Sequence, residues 1–227
     1  MTDTLCVYAT DEDVALRAAA DFAILCPKDQ CLAYGADGVI DASRWSLSSP
    51  TVDFVAAGIA PGQLVRLSPP ITAFKSSGDT FAVDSVIGGA ATLRRKGMLL
   101  GAGQPASPIG GAQGVEFTIT TLAPQIARAG FDINHRFGID YRIAGRRPSD
   151  LFDPHELRDT AVLTVLYRQY IELSRGSQER SDSFAAKALA YKQELDDLLA
   201  RLVVHFATAF GAAATQSTTR LSARLSR

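Results

Sequence analysis

Residues 153–176 read DPHELRDTAVLTVLYRQYIELSRG, and residues 181–202 read SDSFAAKALAYKQELDDLLARL. The first stretch opens on Asp153 followed by Pro154, a capping residue ahead of a proline in the first helical turn. Leu157, Ala161, Leu163, Leu166, Tyr170 and Leu173 then make one apolar face, and Gly176 is placed as a C-terminal cap. The second helix opens near Ser181 or Asp182. Its apolar positions Phe184, Ala188, Tyr191, Leu195, Leu198 and Leu202 recur at steps of 4, 3, 4, 3 and 4, a heptad seam. The link between the two is short, so the helices are expected to pack antiparallel within one chain rather than as a zipper between chains.

Working outward, glycine and proline divide the rest sharply. Eleven of the 18 glycines and five of the ten prolines lie between positions 58 and 114, whereas residues 155–227 hold no proline and only Gly176 and Gly211. A turn-rich middle therefore precedes an α-helical C-terminal third. In the middle, GIAPG (58–62) is a turn, and 63–67 alternates apolar and polar. Residues 81–86 lead to a Gly88-Gly89 turn and then to 91–95, and 115–119 alternates cleanly. Four or five such strands make a small barrel or sandwich. The segment 97–114, with six glycines and two prolines, is expected as a long exposed loop. Before the middle, Thr10 caps a helix with Asp13 three residues on. Val14, Leu16, Ala18, Ala19, Phe22 and Leu25 follow, and Pro27 ends it. After it, 122–137 has weaker helical character starting near Pro124 and broken by Gly130, and 138–154 is a linker with Arg142, Arg146 and Arg147.

A chain of 227 residues, 47% apolar and 21% charged, with a net charge of −1, suits one ordinary domain or two small ones. That composition excludes a disordered chain, and the near-zero charge excludes a surface that grips nucleic acid all round. The N-terminus lacks the basic and apolar regions of a secretory signal, and no apolar run reaches the roughly 18 residues of a membrane span. The expectation is a protein of the cytosol, or of a particle assembled there.

Motifs of chemistry are near misses. Cys26 and Cys31 have the separation of a zinc ligand pair, but Cys6, His135, His155 and His205 supply no second pair, and buried free thiols are the simpler reading. His155-Glu156 begins like the zinc-protease helix motif, yet Asp159 stands where the second histidine belongs, so an acidic first helical turn accounts for it. GAGQPA (101–106) matches the dinucleotide fingerprint, but Pro105 and Pro108 replace the helix whose N-terminus would meet the pyrophosphate. The pair Asp196-Asp197 sits beside the seam and reads as a solvated face. Arg94-Arg95-Lys96 is a basic run at a strand end, able to touch phosphates or simply solvated. Residues 211–227 carry three arginines and no acid. They read as a frayed tail, or as an arm ordered by a partner through Leu221 and Leu225 with Arg220, Arg224 and Arg227 seeking acidic groups. No active site, metal site or cofactor is expected.

The stretches DPHEL (153–157), AVLTVLYRQY (161–170) and FAAKALAYKQEL (184–195) resemble the helical hairpin of head–tail adaptor (neck connector) proteins of tailed bacteriophages. Residues 53–66 and LRRKGM (93–98) look like β modules of phage neck and tail proteins. The resemblance implies an α+β fold, an α-helical adaptor core of N-terminal helix and C-terminal antiparallel hairpin with an inserted small antiparallel β-barrel or sandwich. The division is then 1–30 as the N-terminal helix of that core, 31–121 as the inserted module, 122–210 as the helical core, and 211–227 as a flexible arm. Adaptors are commonly shorter, so the β module is a departure with a role of its own.

The function implied is a structural virion protein of the neck, not an enzyme. It would form a ring, commonly of twelve copies, beneath the portal, with a stopper or tail-completion protein docking below and DNA passing through the lumen without sequence-specific binding. The arm residues Arg220, Leu221, Arg224, Leu225 and Arg227 would reach the portal. The loop beside Arg94, Arg95 and Lys96, with Gly101 and Gly103, would be the contact surface of the β module. Alternatives are a tail-completion or terminator protein at the top of the tail, a small metal hydrolase using His155 and Glu156, and a nucleic-acid-binding β-barrel favoured by the basic run.

Overall fold

The computed structural model describes residues 7–41, 43, 45–68, 79–97, 111–176, 181–206 and 217–220. The chain divides into two compact units. One comprises Thr10–Leu122, and the other Met1–Ala9 with Ala123–Arg227. The structure is mixed α and β.

The β unit opens with α1 (Asp11–Arg17) and α2 (Phe22–Leu25). Thr10 caps α1 as its sequence predicts: the Asp13 N–H donates to its Oγ1 at 3.3 Å, and the Thr10 N–H donates back to Asp13 Oδ2 at 2.8 Å. The single helix expected up to Pro27 is interrupted at residues 18–21, where Ala18 leaves helical geometry (φ −131°, ψ 48°) and the Asp21 N–H closes onto the Ala18 carbonyl at 3.0 Å. No glycine or proline marks the break, and nothing in the local sequence dictates it.

Six strands follow: β1 (Cys31–Asp41), β2 (Ser46–Ser48), β3 (Leu64–Ser68), β4 (Asp79–Ile87), β5 (Ala90–Arg94) and β6 (Ala112–Thr120). They pair antiparallel in the order β1-β2-β5-β4-β3-β6, and β6 pairs back onto β1, so the sheet closes on itself. The β4–β5 hairpin turns at Gly88 and Gly89, with φ of 59° and 81°. Two consecutive positive φ values are what a two-residue turn matching strand twist requires, and glycine adopts them without strain. Strand β1 was hidden in the sequence by Gly35 and Gly38. Both lie at register shifts against β6, and a Cβ on Gly35 would stand 2.8 Å from the Phe117 ring.

Inside the sheet the alternation is simple. Val115, Phe117 and Ile119 of β6, Val65 and Leu67 of β3, and Phe81 and Val83 of β4 point into one core with Trp45, Leu47, Phe54 and Leu93. Phe54 meets Phe117 edge-on at 5.5 Å, and Trp45 meets Phe81 edge-on at 6.3 Å.

In the helical unit, α3 (Ala123–Phe137) runs unbroken through Gly130. Gly130 is buried on the same face as Ile126, Ala129, Ile133 and Phe137. The roughly 1 kcal/mol that glycine costs a helix is outweighed there by packing. Gly138 (φ 64°) ends α3, and the Ile139 N–H reaches back to the Asn134 carbonyl at 2.9 Å, a Schellman closure. Asp153 accepts from the His155 N–H at 2.8 Å and starts a 3₁₀ turn that runs into α4 (Arg158–Gly176), followed by α5 (Ser181–Arg201). The two pack as a hairpin. Tyr170 stacks on Tyr191 at 5.5 Å and lies 6.1 Å from Phe184, all three of them expected seam positions.

The helical character expected through Leu202 stops at Arg201. Val203–Phe206 is strand β7, paired antiparallel with β8 (Ser217–Arg220) and bridged to Leu151 on its other side. The β-branched pair Val203-Val204 prefers the pleated conformation, and a two-sided partner supplies its hydrogen bonds.

Candidate functional site

The outer surface of the β unit carries a cleft of about 490 Å³. Its position follows from strand parity. Because Val65 and Leu67 point inward, Leu64, Arg66 and Ser68 point outward. On β6 the same parity sends out Glu116, Thr118 and Thr120, and on β4 Thr80 and Ala82. Register aligns these into rows: Ala82–Leu64–Thr120, then Thr80–Arg66–Thr118, then Ser68 beside Glu116. Leu64 and Ala82 are buried although they face away from the core, and Ala15, Ala19, Ala20, Phe22 and Ala23 of the α1–α2 segment line the cleft beside them. The second row stays open. The cleft is lined by Arg66, Lys96 and the hydroxyls of Ser68, Thr80, Thr118 and Thr120, with no carboxylate among the described residues that line it. On β1, Tyr34 continues that row as the partner of Thr118 and is 77% exposed.

The basic run splits in the structure. Arg94, expected as a solvent-facing contact, is 3% exposed. Its Nη1 donates to Glu12 Oε1 at 2.6 Å, its Nη2 pairs with the other carboxylate oxygen, and its Nε lies 3.3 Å from Asp84. Glu12 also accepts from the Gly97 N–H at 2.8 Å. Burial without a counter-charge would be costly for a guanidinium, and Glu12 supplies one. Arg95 stays exposed, and Lys96 turns into the cleft. Gly101 and Gly103 lie outside the described residues.

Asp11, next to Glu12, is also buried. It accepts from Thr121 Oγ1 at 2.7 Å and from the Leu122 N–H at 2.8 Å, and burial raises its pKa from 3.8 to about 6. The first turn of α1 thus ties the ends of β5 and β6. The sequence places that helix with the helical core, whereas it groups with the sheet in the unit Thr10–Leu122. Acidic residues in a first turn read as complements to the helix dipole, and nothing local marks these two as buried. Arg66 was not singled out because Lys96, which lines the same cleft, is 30 positions away in sequence. Its outward parity within 64–68 was the only signal.

Cys26 is buried, which pushes its thiol up to about 11, and Cys31 is exposed at the start of β1. Among the described residues no group of three or more His, Cys, Asp and Glu side chains is placed to hold a metal. His155 contacts Arg158, while Glu156 lies 3.2 Å from His205 Nδ1 on β7. Asp196 pairs with Lys192 one helical turn away, on the solvated face expected for it.

In the helical unit, residues 138–152 form a pinned loop. The Asp140 N–H donates to the Arg146 carbonyl at 2.8 Å, the Gly145 and Arg147 N–H groups donate to Asp150 Oδ2 at 2.9 Å each, and the Phe152 N–H donates to the His205 carbonyl at 3.0 Å. Tyr141, Ile143 and Phe152 of this loop are 40%, 50% and 64% exposed. Of the expected arm, Ser217–Arg220 is strand β8. Leu221, Arg224, Leu225 and Arg227 lie outside the described residues.

No family model matches the chain, and no curated protein or solved structure is detectably similar to it.

Proposed function

We propose that the chain is a structural assembly protein, a head–tail adaptor of a tailed bacteriophage that forms a ring in the virion neck and joins the portal to the components below. The observation that carries the assembly reading is the loop with Tyr141, Ile143 and Phe152. Its backbone is held by the four hydrogen bonds given above, yet three large apolar side chains remain exposed within twelve residues. Apolar groups on a pinned loop are suited to burial against another surface, and a ring buries such a patch against a different face of the next subunit. The phage assignment itself rests on the resemblance of 153–195 to the adaptor hairpin.

In this reading the chain has no catalytic role and no cofactor. Its partners are the portal, neighbouring copies of itself, and a stopper or tail-completion protein. Residues from Arg220 onward contact the portal, and the segment with Arg95, Gly101 and Gly103 contacts another virion surface. Because Ser217–Arg220 pairs with β7, the truncation that tests the arm removes only residues 221–227.

The test is negative-stain imaging of the full chain with and without the portal encoded by the same genome. Rings seated on the portal, weakened by the truncation and abolished by Ile143→Ser with Phe152→Ser, are expected. A monomer that ignores the portal overturns the adaptor role. If that monomer instead binds the tail tube, a tail-completion role replaces it.

A further inference from the structure

We infer that the loop of residues 138–152 on one copy of this chain docks on the outward face of α5 on the next copy. The inference rests on the assembly reading above and supplies the second face that a ring contact needs.

The helix comes first. Phe184, Ala188, Leu195 and Leu199 of α5 are buried, and α4 is the one described element along which α5 packs extensively. Helical periodicity puts Asp182, Ala186, Leu189, Ala190, Gln193 and Asp197 on the opposite side. All six are exposed, Leu189 at 57%. This face is apolar at its middle and acidic at both ends. Two cations of the same helix are engaged elsewhere: Lys187 lies over the Tyr170 ring at 5.5 Å, and Lys192 pairs with Asp196.

The loop carries the complementary pattern. Its apolar side chains Tyr141, Ile143 and Phe152 are exposed among basic residues. Its two carboxylates accept from the loop's own backbone, Asp140 from the Arg142 N–H at 2.8 Å and Asp150 from the Gly145 and Arg147 N–H groups. The Arg142 and Arg147 side chains are exposed. An apolar surface framed by arginines thus faces outward from one part of the helical unit, and an apolar surface framed by aspartates from another.

Charge selects how the two surfaces combine. Two α5 faces meeting antiparallel about Leu189 and Ala190 would set Asp182 opposite Asp197, and meeting parallel would set each aspartate opposite its own copy. Two loops meeting would bring arginines together. Like charges brought together across an interface are repulsive, whereas loop on helix pairs Arg142 and Arg147 with Asp182 and Asp197 around an apolar centre. Such a contact joins two different faces, so it propagates from copy to copy and closes into a ring when the rotation permits.

The experiment is cross-linking between two versions of the full chain in which Cys6 and Cys31 are serine. One carries Phe152→Cys, and the other carries Ala186→Cys with a size tag, so that mixed and self-products separate on a gel. A flexible bis-maleimide is applied to each version alone and to the mixture, and circular dichroism confirms the helices of each. The expected result is a mixed product that far exceeds the two self-products together. Arg142→Glu in the first version should lower the mixed product about tenfold, and Asp182→Arg with Asp197→Arg in the second should restore it. Leu189→Asp should abolish it. A mixed product no greater than the self-products together, which random collision gives, overturns the inference, as does a mixed product that Arg142→Glu leaves unchanged. The same cross-linking on portal-bound material separates this inference from the adaptor role. Rings without the mixed product remove the loop-on-helix contact and keep the adaptor. The mixed product in a chain that ignores the portal keeps the contact and removes the adaptor.

Discussion

Replacing Glu12 with glutamine should destabilise the β unit by about 3–5 kcal/mol, the range for removing one partner of a buried ion pair. The figure follows from the geometry. The Glu12 carboxylate accepts from both terminal nitrogens of Arg94 and from the Gly97 N–H, and the two side chains are 8% and 4% exposed. Glutamine keeps the shape but turns an amide NH₂ toward guanidinium donors, leaving Arg94 buried with Asp84, 3.3 Å from its Nε, as the remaining carboxylate. Unfolding entropy is about 2.1 cal/mol/K per residue, so for a unit of roughly 110 residues each kcal/mol lowers Tm by about 4 °C. The expected drop is therefore roughly 12–20 °C. Trp45, the single tryptophan, is buried in the core of this unit, so its emission during thermal or urea unfolding reports this unit directly. The companion variant is Glu12→Leu with Arg94→Met. Removing both charges should restore most of the loss, because no uncompensated ion is left behind. A cost below about 1 kcal/mol for Glu12→Gln, or a double variant as unstable as the two single changes combined, would refute the account of a desolvated, mutually dependent pair.

Two further outcomes follow from burial. The folded state raises the Asp11 pKa from 3.8 to about 6, so between those values it holds a proton that the unfolded chain has released. This group's contribution is therefore full below about pH 4 and is lost as pH rises to about 6, by up to roughly 3 kcal/mol. Relative to Asp11→Asn, wild type should lose stability as pH rises across that window, with the difference flat above pH 7, and a pH-independent difference from urea melts would contradict it. In the helical unit, Tyr170→Ala removes a side chain that is 1% exposed and packed on Phe184 and Tyr191. It should cost about 3–5 kcal/mol, read by far-ultraviolet circular dichroism, and a cost under 1 kcal/mol would mean that the hairpin seam is not where its stability lies.

What the sequence made legible was local. The Thr10 cap, the Asp153-Pro154 start, the Gly88-Gly89 turn and the Tyr170 and Phe184 seam positions each depend on residues within a few positions of one another. Strand β1 was not legible because the glycines within it, Gly35 and Gly38, break the alternation, and what they make room for, Phe117 and Val115, lies some 80 residues later. The same reason hid the fate of Arg94: a basic run looks solvated until Glu12, 82 positions earlier, is placed against it. Arg66 and Lys96 likewise come to line one cleft only through the register of β3 and the path after β5. Gly130 and the end of α5 at Arg201 went the other way, with tertiary packing and strand pairing overruling local propensity.

The closing of β6 onto both β1 and β3 has a consequence for how the chain is made. Residue 31 pairs with residue 120, and Asp11 bonds to Thr121 and Leu122, so the first and last segments of the β unit meet only once everything between them has been synthesised. At about 5–20 residues per second, the ribosome holds the edges of β1 and β3 without β6 for several seconds. Such long-range pairing also places the β unit among slow folders, whereas the α4–α5 hairpin, built on contacts only tens of residues apart, can form as soon as it emerges. The nascent chain is thus most exposed to misassociation midway through translation, and the arrival of residues 112–122 ends that vulnerability.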